Sequence, residues 1–231
     1  MANITPLQEH AMWTKAGPIM SRRTESDIAL LGEQAMATIG DPAPLGLWAF
    51  ATGTWMAGVV MGGLYPQSTL PGLAPVLLIF AGLVQFIAGL FAYRRANSLA
   101  ATAFCCFGSF NVTAAVIFGL WTANLVPAGG YTPVLLGFLL ESFAFIALAL
   151  CLAALRTNAA MVLVLLTLGI GYALAGIPNL VNAAGTAGWD VIGYIGGWFL
   201  FASAILAYYA GTALVVNSTW KRPVLPIGGE P

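Results

Sequence analysis

Three side chains could do chemistry inside the long apolar stretches of this 231-residue chain: Gln85, Asn111 and Glu141. Glu141 is the only acid or base well inside such a stretch. A charge at the centre of a bilayer costs about 2.5–3.5 kcal/mol on insertion scales, so a residue of this kind marks a site or a tie between helices. Both readings stay open: a hydrogen-bonded glutamate joining two helices, or a proton-carrying site. Gln85 and Asn111 are amides deep in apolar runs, and each needs partners. Thr52, Thr54, Thr102, Thr113, Thr167 and Asn179 complete the polar set, although hydroxyls are ordinary groups in helix packing.

The usual catalytic constellations do not appear. Cys105, Cys106 and Cys151 sit in apolar runs and read as small core residues. No CxxC or Cys/His cluster suggests a metal. The one histidine, His10, lies in a polar tail, which argues against b-type haem and against a histidine proton relay. Lysine is absent between Lys15 and Lys221, so no retinal Schiff base is available. There is no nucleotide loop and no nucleophile–base pair. The expectation is a protein that is not an enzyme and carries no cofactor or metal. Its net charge of zero gives no reason to expect a nucleic-acid partner.

Composition says what must position these groups. The chain is 60% hydrophobic and 7% charged, with mean hydropathy +0.89; soluble domains carry about 25% charged residues. It reads as an all-α polytopic membrane protein. Residues 1–40 form a polar tail without the apolar core of a signal peptide, and Ser26 to Ile39 has a loose helical pattern that suits a short interfacial helix. Six apolar runs follow, at about 44–64, 73–93, 99–120, 133–155, 158–177 and 190–216, each near the ~20 residues that cross a hydrocarbon core. They make a membrane domain over 41–220, with a short tail at 221–231. Pro- and Gly-rich breaks, including Pro178 to Gly188, separate them. All eight Lys and Arg residues lie in the two tails and in the second and fourth loops. The positive-inside rule makes that side, and both termini, cytoplasmic. An inner or plasma membrane in contact with lipid is the expected setting. Gly58/Gly62 and Gly193/Gly197 form GxxxG pairs, which serve packing within one protomer or an interface between protomers.

The first run opens on Asp41-Pro42-Ala43-Pro44-Leu45-Gly46-Leu47. Asp41 is a good N-cap, and prolines are tolerated in a first helical turn. This stretch closely resembles the NPAPLGL signature of the acetate uptake transporter family, the succinate–acetate permeases. A second block agrees: Ala81-Gly-Leu-Val-Gln-Phe-Ile-Ala-Gly89, Arg94-Arg-Ala-Asn97, Ala101-Thr-Ala-Phe104 and Gly108-Ser-Phe110. Val224-Leu-Pro-Ile-Gly228 resembles the family's closing LPIG. The resemblance implies six helices, a homohexamer and one path through each protomer. It implies passage of acetate and similar small monocarboxylates, in some members succinate, by channel or proton-linked symport. It also implies an apolar constriction at Phe50, Phe107 and Leu168, with the motif glutamine at Gln85. Counted from the helix starts, Phe50, Phe107 and Leu168 lie roughly 9–15 Å up, and they can share one layer with Gln85 provided their faces point inward.

This chain departs from the family pattern in ways that bear on substrate. Asp41 replaces Asn, Phe107 replaces Tyr, Ala92 stands where Glu is usual, and Glu141 stands where the family is apolar. A drier constriction with a carboxyl inside the membrane favours a neutral or larger apolar acid. Two alternatives remain at this point: a non-transporting scaffold subunit of a larger complex, or a channel for another small solute such as ammonia.

Overall fold

The computed structural model describes residues 26–31, 39–127, 131–183 and 190–228. Residues 26–31 form a short exposed helix in a unit of their own; the rest of the interfacial helix expected up to residue 39 lies largely outside the described residues. The second unit holds six helices long and apolar enough to cross a membrane. They are α1 (Ala43–Met61), α2 (Gln67–Arg94), α3 (Ser98–Thr122), α4 (Tyr131–Ala154), α5 (Ala159–Ala183) and α6 (Asp190–Trp220). No strand occurs among the described residues. The outer faces are apolar: Phe138, Phe145 and Leu152 recur every seven residues along α4 and are 60%, 75% and 70% exposed, the pattern of a face turned to lipid.

Lipid gives apolar side chains no reason to leave it, so the helices associate by close approach across small residues. The core is built largely from alanine and glycine. Gly197 of α6 lies directly against the backbone of Met61 and Gly62 at the end of α1, and Gly58 faces Phe201 and Gly197 in return. Both GxxxG pairs therefore work inside one protomer. Gly108 of α3 sits against the backbone of Phe86 and Gly82 in α2, and Gly196 of α6 against Ala175 and Gly171 in α5.

Two boundaries differ from expectation. The fifth helix does not stop near residue 177; Pro178 lies inside α5, which continues to Ala183. Proline deprives the carbonyl four residues back of its donor and crowds the helix. Here its ring is housed by α6, because a Cβ at Gly193 would fall 2.9 Å from the Pro178 ring. The second helix is not one uniform helix beginning at 73. It opens as a 3-10 turn (Gln67–Leu73), becomes α-helical at Ala74–Leu78, widens to a π turn at Ile79–Val84 and returns to α at Gln85–Arg94.

The chain after α6 folds back. Asn217 accepts bonds from the N–H groups of Val224 and Leu225 at 2.7 and 2.9 Å and donates to the Leu225 carbonyl at 2.8 Å. Tyr209 donates to the Pro226 carbonyl at 2.6 Å. The strap so formed offers the Gly228 and Ile227 carbonyls to the N–H groups of Ala159 and Ala160, at 2.7 and 3.1 Å. Those are free donors of the first turn of α5, which a helix start always leaves over. Gly228 takes φ +71°, and a Cβ there would fall 2.7 Å from that of Ala159.

Gly197→Val, which drives a branched side chain into the Gly62 backbone, should cost about 1–3 kcal/mol or more and lower the melting temperature in detergent. Gly119→Ala, with nothing within 4 Å of its Cβ position, should not.

Candidate functional site

Four helices bring their sequence-predicted residues to one small cavity of about 10 Å³. Phe50 comes from α1, Gln85 from α2, Phe107 from α3 and Leu168 from α5, and Phe104 and Leu165 are among its other apolar lining residues. Phe50 and Phe107 stack obliquely, with centroids 5.9 Å apart and rings at 47°. A cavity of this size holds about one water at most, so the layer is closed by side chains. The first motif shapes it directly. The Asp41 carboxylate accepts a bond from the Ala43 N–H at 3.0 Å, beside Pro42 and Pro44 in the entry to the first turn. Gly46 admits the Phe104 ring, 2.5 Å from where a Cβ would sit, and Leu47 lines the cavity. Leu45 points outward and is exposed.

Gln85 is the polar member of this layer, and its side chain is fully buried. It directly follows the π turn. An extra residue in a turn rotates everything after it by about 100°, so the turn decides which way Gln85 faces. Asn111 of α3 then fixes its carboxamide: its Nδ2 donates to the Ala81 carbonyl at 3.0 Å and to Gln85 Oε1 at 3.3 Å. Because Asn111 is the donor, the free end of Gln85 is its nitrogen, and Nε2 has no partner among the described residues. A buried donor left bare costs about 1–3 kcal/mol. Gln85 is the one polar residue bordering this otherwise apolar cavity.

Asn111 also borders a second, larger cavity of about 110 Å³, on the side of the bundle away from Arg94, Arg156 and Lys221. Thr54, Gln67, Tyr172 and Asn179 are its other polar lining residues, among leucines and Phe110. Gln67 donates to the Val60 carbonyl at 3.1 Å and Asn179 to the Ala175 carbonyl at 3.0 Å. An aromatic cluster of Phe50, Phe107, Phe110, Phe143 and Tyr172, with successive centroids 4.9–6.5 Å apart, links the lining of the two cavities: Phe50 and Phe107 line the smaller, Phe110 and Tyr172 the larger.

Glu141 lines neither of these cavities. It lies one position beyond Leu140, which does line the larger one, and turns to α5, where Gly176 leaves it room: a Cβ at Gly176 would fall 2.5 Å from Oε1. Oε1 is buried without a partner among the described residues. Sequence reasoning missed the π turn, which has no sharp local signature, and also missed Tyr172 and Phe143. Tyr172 did carry a signal. A tyrosine in mid-span has a hydroxyl that needs a partner, unlike Tyr65 or Tyr93 near helix ends.

The model of the GPR1/FUN34/yaaH family matches residues 30–227. The Escherichia coli (strain K12) succinate-acetate/proton symporter SatP is 30% identical over 195 residues, which cover 82% of this chain and 96% of that protein. Acetate permease A of Emericella nidulans is 30% identical over 83% of this chain and 66% of its own length. Ammonia transport outward protein 2 of Saccharomyces cerevisiae is 28% identical over 77% of this chain and 63% of its own. Among solved structures, that of the bacterial acetate channel SatP superposes with a TM-score of 0.73 at 27% identity, covering 83% of this chain and all of that one.

Asn111→Leu strips the Ala81 carbonyl and Gln85 Oε1 of their donor and should cost about 1–3 kcal/mol in thermal unfolding. Gln85→Met, which also removes a bare donor, should cost less.

Proposed function

The chain belongs to the GPR1/FUN34/yaaH family, and from that premise we propose that it passes acetate and similar small monocarboxylates through the layer of Phe50, Phe107 and Leu168. It is a multi-pass membrane protein and not an enzyme. The observation that carries the proposal is the free Gln85 amide nitrogen at a constriction otherwise walled by apolar groups. Apolar rings exclude water and resist charge, which closes the path to ions at large. One fixed donor lowers that barrier for a carboxylate oxygen, at a point where acetate has shed its water. The names of the E. coli and E. nidulans relatives support the same substrate class. Succinate, which the E. coli name includes, is part of the proposal, as are a homohexameric assembly and a cytoplasmic position for the basic end.

Proton linkage completes the reading. Glu141 is the one acid or base well within a span, and its bare Oε1 lies behind the wall of the larger cavity. In this proposal it carries the proton that accompanies the acid. The name of the yeast relative favours a second reading, ammonia conduction. Ammonia is neutral and needs no donor from Gln85.

Labelled acetate uptake into proteoliposomes, with and without an inward proton gradient, tests both parts. The expected result is saturable uptake that the gradient drives uphill, with Glu141→Gln reducing it to equilibration. Equilibration alone by the wild type makes the protein a channel. No uptake above empty liposomes by a folded oligomer overturns the acetate reading. Gln85→Leu should lower acetate uptake about tenfold, in line with a bond to a charged group; measurable ammonia flux by a wild type that carries no acetate would favour the second reading.

A further inference from the structure

We propose that the Tyr172 hydroxyl is a carboxyl-recognition group of the larger cavity, acting with Thr54 and Asn111 before the solute enters the constriction. This rests on the small-carboxylate reading above and names residues that the family motifs do not. Tyr172 stands on α5 one turn beyond Leu168. Its ring is held between Phe107 and Phe110, with centroids 6.5 and 5.0 Å away, and its side chain is 4% exposed. A tyrosine buried this deeply ordinarily spends its hydroxyl on a protein partner. None of the described residues bonds to this one. Tyr172 lines a cavity of about 110 Å³, room for several waters or one small organic acid. Thr54 is in the same position: buried, lining the same cavity, and with no hydrogen-bond partner among the described residues.

The chemistry of the three polar groups is specific. The Tyr172 and Thr54 hydroxyls donate, as carboxylate oxygens require. The Asn111 nitrogen is engaged with Ala81 and Gln85, so its amide oxygen is the end left to accept. An ionised acid takes the two hydroxyl donors. A protonated acid takes one of them and gives its own O–H to the Asn111 oxygen. The cavity therefore suits a carboxyl group in either state, where an alkane would leave the hydroxyls bare. It also relocates a function. The resemblance places a tyrosine at Phe107, inside the constriction; here the hydroxyl is on the facing ring, one turn farther from the basic end.

Acetate uptake kinetics in proteoliposomes test the assignment, wild type first. Tyr172→Phe keeps the ring and should raise KM for acetate about tenfold, with maximal rate within twofold. Adding Phe107→Tyr to it should recover most of the loss by returning a hydroxyl to the cluster. A second variant, Thr54→Val, should raise KM about threefold and covers the case in which Tyr172→Phe does not fold. Acetate binding to the purified protein, followed by saturation transfer to its methyl protons, should weaken in parallel. An unchanged KM in the folded variants, or a fall in maximal rate alone, overturns the proposal, since a merely structural tyrosine would act on rate and stability. If the wild type carries no acetate, the functional reading itself fails and takes this assignment with it; acetate uptake by the wild type together with indifferent variants sinks this assignment alone.

Discussion

The structure depends on how closely its helices can approach in a solvent that does not drive them together. Hydrocarbon is as apolar as leucine, so contact energy comes from packing and from hydrogen bonds that cross between helices. Glycine and alanine at the interfaces make both available. With Gly108 against the backbone of Phe86 and Gly82, α2 and α3 come near enough for a short asparagine side chain to reach a main-chain carbonyl on its neighbour. A larger residue at 108 would hold the helices apart, and the Asn111–Ala81 bond would be out of reach. The polar centre of the molecule is in this sense a product of its smallest residues.

The same economy governs the polar groups of the interior. Water is excluded by rings and leucines, and only a few hydrogen-bonding groups are spared from structural use. Most hydroxyls in the spans are spent on their own helix: Thr52, Ser109, Thr113, Ser142 and Thr167 each donate to a carbonyl one turn back. Such groups have no donor left for a carboxylate. Among the groups left unpaired, which include the Thr132 hydroxyl and Glu141 Oε1, it is Gln85, Thr54 and Tyr172 that border one of the two cavities. Stability would be served by pairing or deleting them.

Much of this was legible in the sequence, for physical reasons. Helix number follows from apolar run length, because a span must cover a fixed thickness. Gln85 and Asn111 were recognisable as a pair needing partners, since an amide in hydrocarbon cannot stand alone; that each is the other's partner was not, because it depends on a helix contact. Pro178 misled because local rules treat proline as a stop, whereas the decisive fact is a glycine on another helix. The π turn was invisible because it has no sharp local signature, although the close packing of its Gly82 against Val112 of α3 leaves no room for a side chain there. The position of Glu141, turned from both cavities into a notch at Gly176, likewise required the packed structure.

The strap after α6 has a consequence for the order in which the protein is made. The start of α5, whose Met161, Val164, Leu165 and Leu168 wall the constriction, takes two of its capping carbonyls from Ile227 and Gly228. Those residues leave the ribosome after all six spans. Translation at about 5–20 residues per second puts seconds between the emergence of residues 161–168 and that of the segment which finishes their helix. Until then the start of α5 rests on its Asn158 side-chain cap alone, the Oδ1 accepting from the Met161 N–H at 3.0 Å, so the last two capping bonds of this helix are made at the end of synthesis.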